Sequence, residues 1–223
     1  MAEAAAPRPS SEAARDIEEA GFQHECALNS TWVGARLAVG GMVFLFGAFV
    51  FAFFYLRSLN SHGMWYPSGF TGPDQWSGAL IMAFAVASAL VQTLVLQRLK
   101  AGHKSAWMAG ATLALALGLA AVGLQLWQLM NEPFWPASSG FASVFTGATP
   151  VLVLVIFCMM VWLEMLIVAA RQIPTISFVE QPPTYAAAFA VQRFQARLSA
   201  FTVIWNFIAI VALLYWFLFY VAR

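Results

Sequence analysis

Five long apolar runs, separated by short polar intervals, make up most of the chain. Within each run the apolar residues are continuous, without the every-second-residue alternation of a membrane β-strand, so the pattern predicts helices. The runs occupy about 33–56, 76–98, 106–130, 148–171 and 198–220. Each reaches the roughly 20 residues needed to cross a hydrocarbon core of about 30 Å. In lipid the backbone must satisfy its own hydrogen bonds, which leaves helix bundles and closed barrels. The predicted fold class is therefore all-α, a polytopic integral membrane bundle of five transmembrane helices.

The intervals divide the chain further. Residues 1–31 read as a polar tail ahead of a membrane domain over 32–223, with Pro7, Pro9 and a cluster of acids and no apolar core behind a basic start. That is not the pattern of a secretory signal peptide. The first dozen residues are expected to be disordered, and Arg15 to Cys26 to form a short surface helix, since Ala14, Ile17, Ala20 and Phe22 fall near one face. The second and third runs are joined by Arg98-Leu-Lys-Ala-Gly-His-Lys104, giving a hairpin with a basic turn. Ser58–Gln75 and Met130–Phe145 read as aromatic, proline-bearing loops, with Trp65-Tyr-Pro67 expected at the membrane interface. The fourth span is expected to begin near Pro150, in a first turn where a missing N–H costs little. Pro174, Pro182 and Pro183 keep 172–185 out of helix, and Ala186–Arg197 reads as an amphipathic interfacial segment.

Small residues recur at helical spacing in three runs: Gly34, Ala38, Gly41, Ala48 and Ala52; Ala79, Ala83 and Ala87; Ala106, Gly110, Ala114 and Gly118. Such strips allow close helix contact in lipid. Gln92 and Gln125 extend the latter two, where side-chain amides bond between helices for roughly 0.6–2 kcal/mol.

Composition agrees with the pattern, at 61% hydrophobic and 9% charged residues. The net charge of +1 offers no concentrated phosphate-binding surface, which speaks against a nucleic-acid partner. Five spans place Arg8, Arg15, Arg36, Arg98, Lys100, Lys104, Arg171, Arg193 and Arg197 on one side and Arg57 and Arg223 on the other. That asymmetry predicts a cytoplasmic N-terminus and a C-terminus outside. Juxtamembrane cations attract anionic lipid at about 1 kcal/mol each, making Arg36, Arg98, Arg193 and Arg197 candidates for headgroup contact. Cys26 and Cys158 read as free thiols, the first in the polar tail and the second as a small packing residue deep in an apolar run.

Intramembrane chemistry would leave polar marks, and these are few. His24, His62 and His103 fall in the tail, a loop and a turn, without the spacing of a metal site. Glu164, seven residues before Arg171, is a candidate because a carboxylate at that depth is costly. It is read either as functional or as snorkelling and paired with Arg171 or a neighbour's cation. Gln92, Gln125 and Asn206 complete the intramembrane polar candidates; no catalytic, cofactor-binding or metal-ligating residue is predicted.

The second and third spans, from Trp76–Lys100 through Trp107 to Leu117-Gly-Leu-Ala-Ala-Val-Gly-Leu-Gln125-Leu-Trp, resemble subunit III of haem-copper cytochrome c oxidases in its five-helix bacterial form. Trp65-Tyr-Pro67, Phe145-Thr-Gly147 and Trp205-Asn-Phe207 fit the same family, and the resemblance covers about Trp32 to Tyr220. The departures fall on the family's polar residues. Its glutamate in the first of these helices would lie near Gly40-Gly41, its His-x-x-His on Thr149 and Leu152, and the histidine and aspartate of its Trp-His-Phe-Val-Asp stretch on Asn206 and Ala209. The acidic partner after the glutamine becomes Gln128. The resemblance implies an accessory, non-catalytic subunit of an oxidase complex in the bacterial inner membrane. Its partners would be catalytic subunit I, other respiratory subunits and phospholipids in an interhelical cleft. It implies no cofactor in this chain, with haem and copper held by a partner subunit. Two alternatives stay open: a subunit III-like component of a nitric oxide reductase or other respiratory complex, and a small transporter or channel using Glu164, Gln92, Gln125 and Asn206.

Overall fold

A computed structural model describes residues 11–60, 63–173 and 185–222. It contains α1 (Ser11–Leu59), α2 (Gln75–Lys100), α3 (Lys104–Met130), α4 (Gly140–Gln172) and α5 (Tyr185–Trp216), the last running into a π-turn over Phe217–Val221. All five helices include an apolar stretch long enough to cross a bilayer, and no strand occurs among the described residues. The chain is a multi-pass helical membrane protein. The expected disorder of the first dozen residues falls mostly outside the described residues, and the proline-rich stretch 174–184 lies wholly outside them.

Three helices are longer than the apolar pattern predicts, each for a local reason. The tail segment from Ser11 is continuous with the first span, making α1 a helix of 49 residues and about 74 Å. Ser30 and Thr31, which would cap a new helix, instead return their hydroxyls to the carbonyl of Ala27 and leave the ladder unbroken. Helix α4 begins at Gly140, because the Ser139 hydroxyl accepts from the Ala142 N–H at 3.0 Å and caps it there. Pro150 therefore lies in the helix interior rather than the first turn, on its exposed face. Ala186–Arg197 is the start of α5 itself, since no glycine or proline separates it from the span. Its apolar positions Val191, Phe194 and Leu198 are buried, with Phe194 edge-on to Trp107 of α3 at 5.7 Å.

The α2–α3 hairpin is the most extensive helix pair. Its buried residues include Ala85, Ser88, Ala89, Gln92, Leu96 and Leu99 on α2 and Trp107, Ala111, Ala114, Gly118, Ala121 and Gln125 on α3, and the Ser88 hydroxyl donates across the pair to the Ala114 carbonyl. The expected strip of α3 is used at Ala114 and Gly118, and Gly110 receives Val95 where a Cβ would collide with it. The expected strip of α2 is displaced. Ala83 is exposed and Ala79 and Ala87 are half-buried, while Gly78, Ala85, Ser88 and Ala89 are inside. A spacing of four drifts about 40° per step around a 3.6-residue helix, whereas the observed 81, 85, 88, 92, 96, 99 series mixes steps of four and three and stays on one face. Ser88, bonded to the Ala114 carbonyl, lies on that face.

Helix α5 packs on α1, α2 and α4. At the end where α1 finishes, Trp65 is buried inside the protein. Its indole stands edge-on to Phe53 at 5.1 Å and to Phe141 at 5.8 Å, and Phe219 closes the cluster against Phe53 and Phe145. Trp76 and Trp135, 80% and 82% exposed, are the most exposed tryptophans and stand free for an interface. We call this the aromatic end, and the opposite one, with Arg98, Lys100, Lys104, Arg171, Arg193 and Arg197, the basic end. The α1 extension reaches α5 there, with His24 against Phe189 at 3.8 Å and His24 Nε2 paired with Gln192 Oε1 at 3.1 Å.

Candidate functional site

Two openings flank a thread of buried polar groups. At the aromatic end, a cavity of about 610 Å³ lies between the starts of α2 and the end of α3, lined by Tyr66, Asp74, Trp76, Trp127, Gln128 and Glu132 among others. Asp74 is the N-cap of α2. Its Oδ2 accepts from the Ser77 N–H at 2.9 Å, and that bond holds the carboxyl below its ordinary range. Glu132, just past α3, is partly buried with Oε1 unpartnered among the described residues. Burial, with a smaller push from the Asp74 charge, raises its carboxyl to about 7.

Below this mouth the thread runs inward. Gln128 Oε1 accepts from the Tyr220 hydroxyl at 2.8 Å and from Gln125 Nε2 at 3.0 Å. Tyr220 sits against Gly78, where a Cβ would overlap its ring, so the glycine makes room for the hydroxyl to reach Gln128. A further cavity of about 30 Å³, lined by Gln125, Thr149 and Tyr220 among mostly apolar residues, is large enough for a water molecule. Deeper still, Trp205 Nε1 donates to Ser88 Oγ at 3.2 Å, and Ser88 Oγ donates to the Ala114 carbonyl at 2.6 Å, tying α5, α2 and α3 together.

The predicted polar candidates divide. Gln125 belongs to the thread, and its Nε2 donates to Gln128 on the same helix. In the antiparallel hairpin Ser88 is level with Ala114 and Val95 with Gly110. Gln92 therefore lies near Ala111 and Gln125 near Gly78, about 20 Å apart along the axes. Gln92 is fully buried with both amide atoms unpartnered among the described residues. Asn206 Oδ1 accepts from Thr93 Oγ1 at 3.1 Å beside an apolar groove between α2 and α5. Glu164 is exposed on the outer stripe of α4, and no bond to Arg171 forms. Cys158 is exposed on the same stripe rather than packed inside, because the buried face of α4 is taken by Ile156, Met159, Met160 and Leu163. Both cysteines are free.

Of the four arginines read as lipid contacts, Arg193 and Arg197 line one cavity of about 620 Å³ at the basic end, with Trp162, Phe189 and Phe194. Arg36 and Arg98 are exposed and do not line it. Sequence reading missed Asp74, Glu132 and Tyr220. Asp74-Gln-Trp-Ser77 carries a detectable capping signal, whereas Glu132 in Asn131-Glu-Pro133 offers no periodicity that would connect it to Asp74.

Among the described residues no group of three or more His, Cys, Asp or Glu side chains converges as a metal site would require. Compared with models of known protein families and with characterised proteins, the chain matches none.

Proposed function

We propose that the chain is an accessory, non-catalytic subunit of a haem-copper cytochrome c oxidase, of the subunit III type. It packs beside catalytic subunit I in a bacterial inner membrane, with its basic end and N-terminus in the cytoplasm and its C-terminus outside, a placement that the cation asymmetry supports. Haem and copper belong to the partner subunit.

One observation carries the reading: the residues of the resemblance are those that hold the helices together. Gly118 receives Met160, Gly147 meets Phe49 across α1 and α4, Trp205 ties α5 to Ser88, and Gln125 anchors the Gln128–Tyr220 pair. The bonds from Trp205 to Ser88 and from Tyr220 to Gln128 tie helices to one another, which suits a scaffold. The outer faces of α1 and α4 meanwhile keep Gly34, Ala38, Gly41, Arg36 and Glu164 exposed for neighbours in an assembly. Arg193 and Arg197 in their apolar cavity suit the headgroup of an anionic lipid.

Extraction in mild detergent through a tag on this chain tests the proposal, with mass spectrometry and a visible spectrum of the eluate. A haem-copper subunit I in stoichiometric amount is the expected result. Recovery as a lone homo-oligomer, or a Soret band that stays with the isolated chain, would overturn it. A nitric oxide reductase partner would redirect it to the related complex.

A further inference from the structure

The mouth at the aromatic end has the parts of a receptor for a small organic cation. We propose that it binds an ammonium group that carries an oxygen acceptor nearby, as in an amino alcohol or its phosphate ester, whether free or as a lipid headgroup. At about 610 Å³ the cavity falls within the range of small-molecule sites. Two carboxylates, Asp74 and Glu132, line it together with the rings of Tyr66, Trp76 and Trp127, and no Lys, Arg or His does so among the described residues. Carboxylates and aromatic faces around an open space favour cations, and a large, weakly hydrated ammonium most of all, because ring faces attract it without having to strip a tight water shell.

The acidic pair alone would not define a ligand. Gln128 supplies the second, independent feature. It is 3% exposed, yet it lines the cavity. Its Oε1 accepts from the Tyr220 hydroxyl and from Gln125 Nε2. That leaves its Nε2, a buried donor, with no partner among the described residues. A buried donor left empty costs about 1–3 kcal/mol, and a ligand oxygen beside the ammonium would fill it. Glu132 Oε1, also buried and unpartnered, would receive an ammonium N–H or lie against its methyl groups.

This inference does not rest on the oxidase reading, since partner recovery and amine binding succeed or fail separately. The full chain is placed in nanodiscs of phosphatidylglycerol alone and titrated by calorimetry with choline chloride and with ethanolamine, against potassium chloride of equal ionic strength. A parallel sample in nanodiscs containing phosphatidylethanolamine is examined by native mass spectrometry for lipid that stays bound. Saturable binding of the free amines, weakened at least tenfold by Glu132→Gln and by Asp74→Asn, identifies a soluble ligand. Asn keeps the helix cap while removing the charge. Retained phosphatidylethanolamine, lost from the same two variants, identifies a headgroup instead. Circular dichroism and melting temperature verify that each variant folds, and either one alone suffices. Neither amine binding nor lipid retention in the folded wild-type chain would overturn the proposal, as would binding that both variants leave unchanged or that calcium alone reproduces.

Discussion

Helices α1 and α5 are comparably apolar, yet only 11% of the α1 span is buried in the bundle against 56% of the α5 span. In water, such a difference would be read as a difference in hydrophobicity. In lipid, apolar side chains gain little by leaving the acyl chains for another helix, so burial follows close packing and interhelical hydrogen bonds instead. Helix α5 has both, with Trp205 bonded to Ser88, Tyr220 to Gln128, and Phe201, Ile208 and Leu198 fully enclosed. Helix α1 offers one packed stripe, through Ala35, Phe46 and Phe53, and presents its glycines to the outside, where Gly34, Gly40, Gly41 and Gly47 have nothing within contact distance.

The comparison is most sharply tested by paired substitutions. Trp205→Ala removes a fully buried indole and its bond, and is expected to cost about 3–5 kcal/mol in denaturant-unfolding experiments in detergent. Phe44→Ala on α1, where the ring is 82% exposed, should stay within about 0.5 kcal/mol. Equal losses would show that α1 is held as tightly as α5. Next, Gly78→Ala forces the Tyr220 ring away from Gln128 and is expected to lose about 1–3 kcal/mol. Gly41→Ala meets open space and should be neutral or gain up to about 1 kcal/mol of helix propensity. The bulkier Gly41→Leu should leave the isolated chain's melting temperature unchanged while lowering recovery of the proposed partner subunit severalfold on tag purification.

Smaller effects follow from the polar links. Ser88→Ala deletes the bond to the Ala114 carbonyl and strands Trp205 Nε1. The expected loss is about 1–2 kcal/mol, and the same change at exposed Ser58 should do almost nothing. The least is expected from pH, because Glu132 is only partly buried and solvent screens most of the effect. Folding raises the Glu132 carboxyl from an ordinary 4.5 to about 7. The folded chain therefore binds a proton more readily than the unfolded one. Its contribution is fully present below about 4.5 and fades as pH rises through about 7. Melting temperature should fall modestly over that window, and Glu132→Gln should flatten the slope. An unchanged slope would place Glu132 in open water.

Much of the membrane architecture is legible residue by residue, and its failures share a cause. Runs of apolar residues mark where the backbone must be helical, but not where helices stop, because capping and continuity are decided by single side chains. Ser139 starts α4 well before Pro150, and Ser30 and Thr31 bond backward and let α1 run on. The small residues of α3 pointed to its packed face at Ala114 and Gly118, whereas those of α2 pointed beside the buried face, on which Ser88 bonds to the Ala114 carbonyl. The Trp-Tyr-Pro loop gives no sign that Trp65 is enclosed by protein, which follows from Phe53 and Phe141 converging on it.

By itself, the sequence determined the number of spans, the cation asymmetry and the scarcity of intramembrane charge. These depend on run length and charge placement, and a bilayer responds to both without reference to tertiary contacts. Only the tertiary structure decided that Asp74 and Glu132 share one mouth, that Gln128 is pinned between Tyr220 and Gln125, and that Gln92 and Gln125 stand at opposite levels of the hairpin. The meeting of residues far apart in the chain depends on helix rotation and register. In lipid these are set by which glycine admits which ring and which buried hydroxyl finds a carbonyl, terms too local and too small to appear in a hydrophobic pattern.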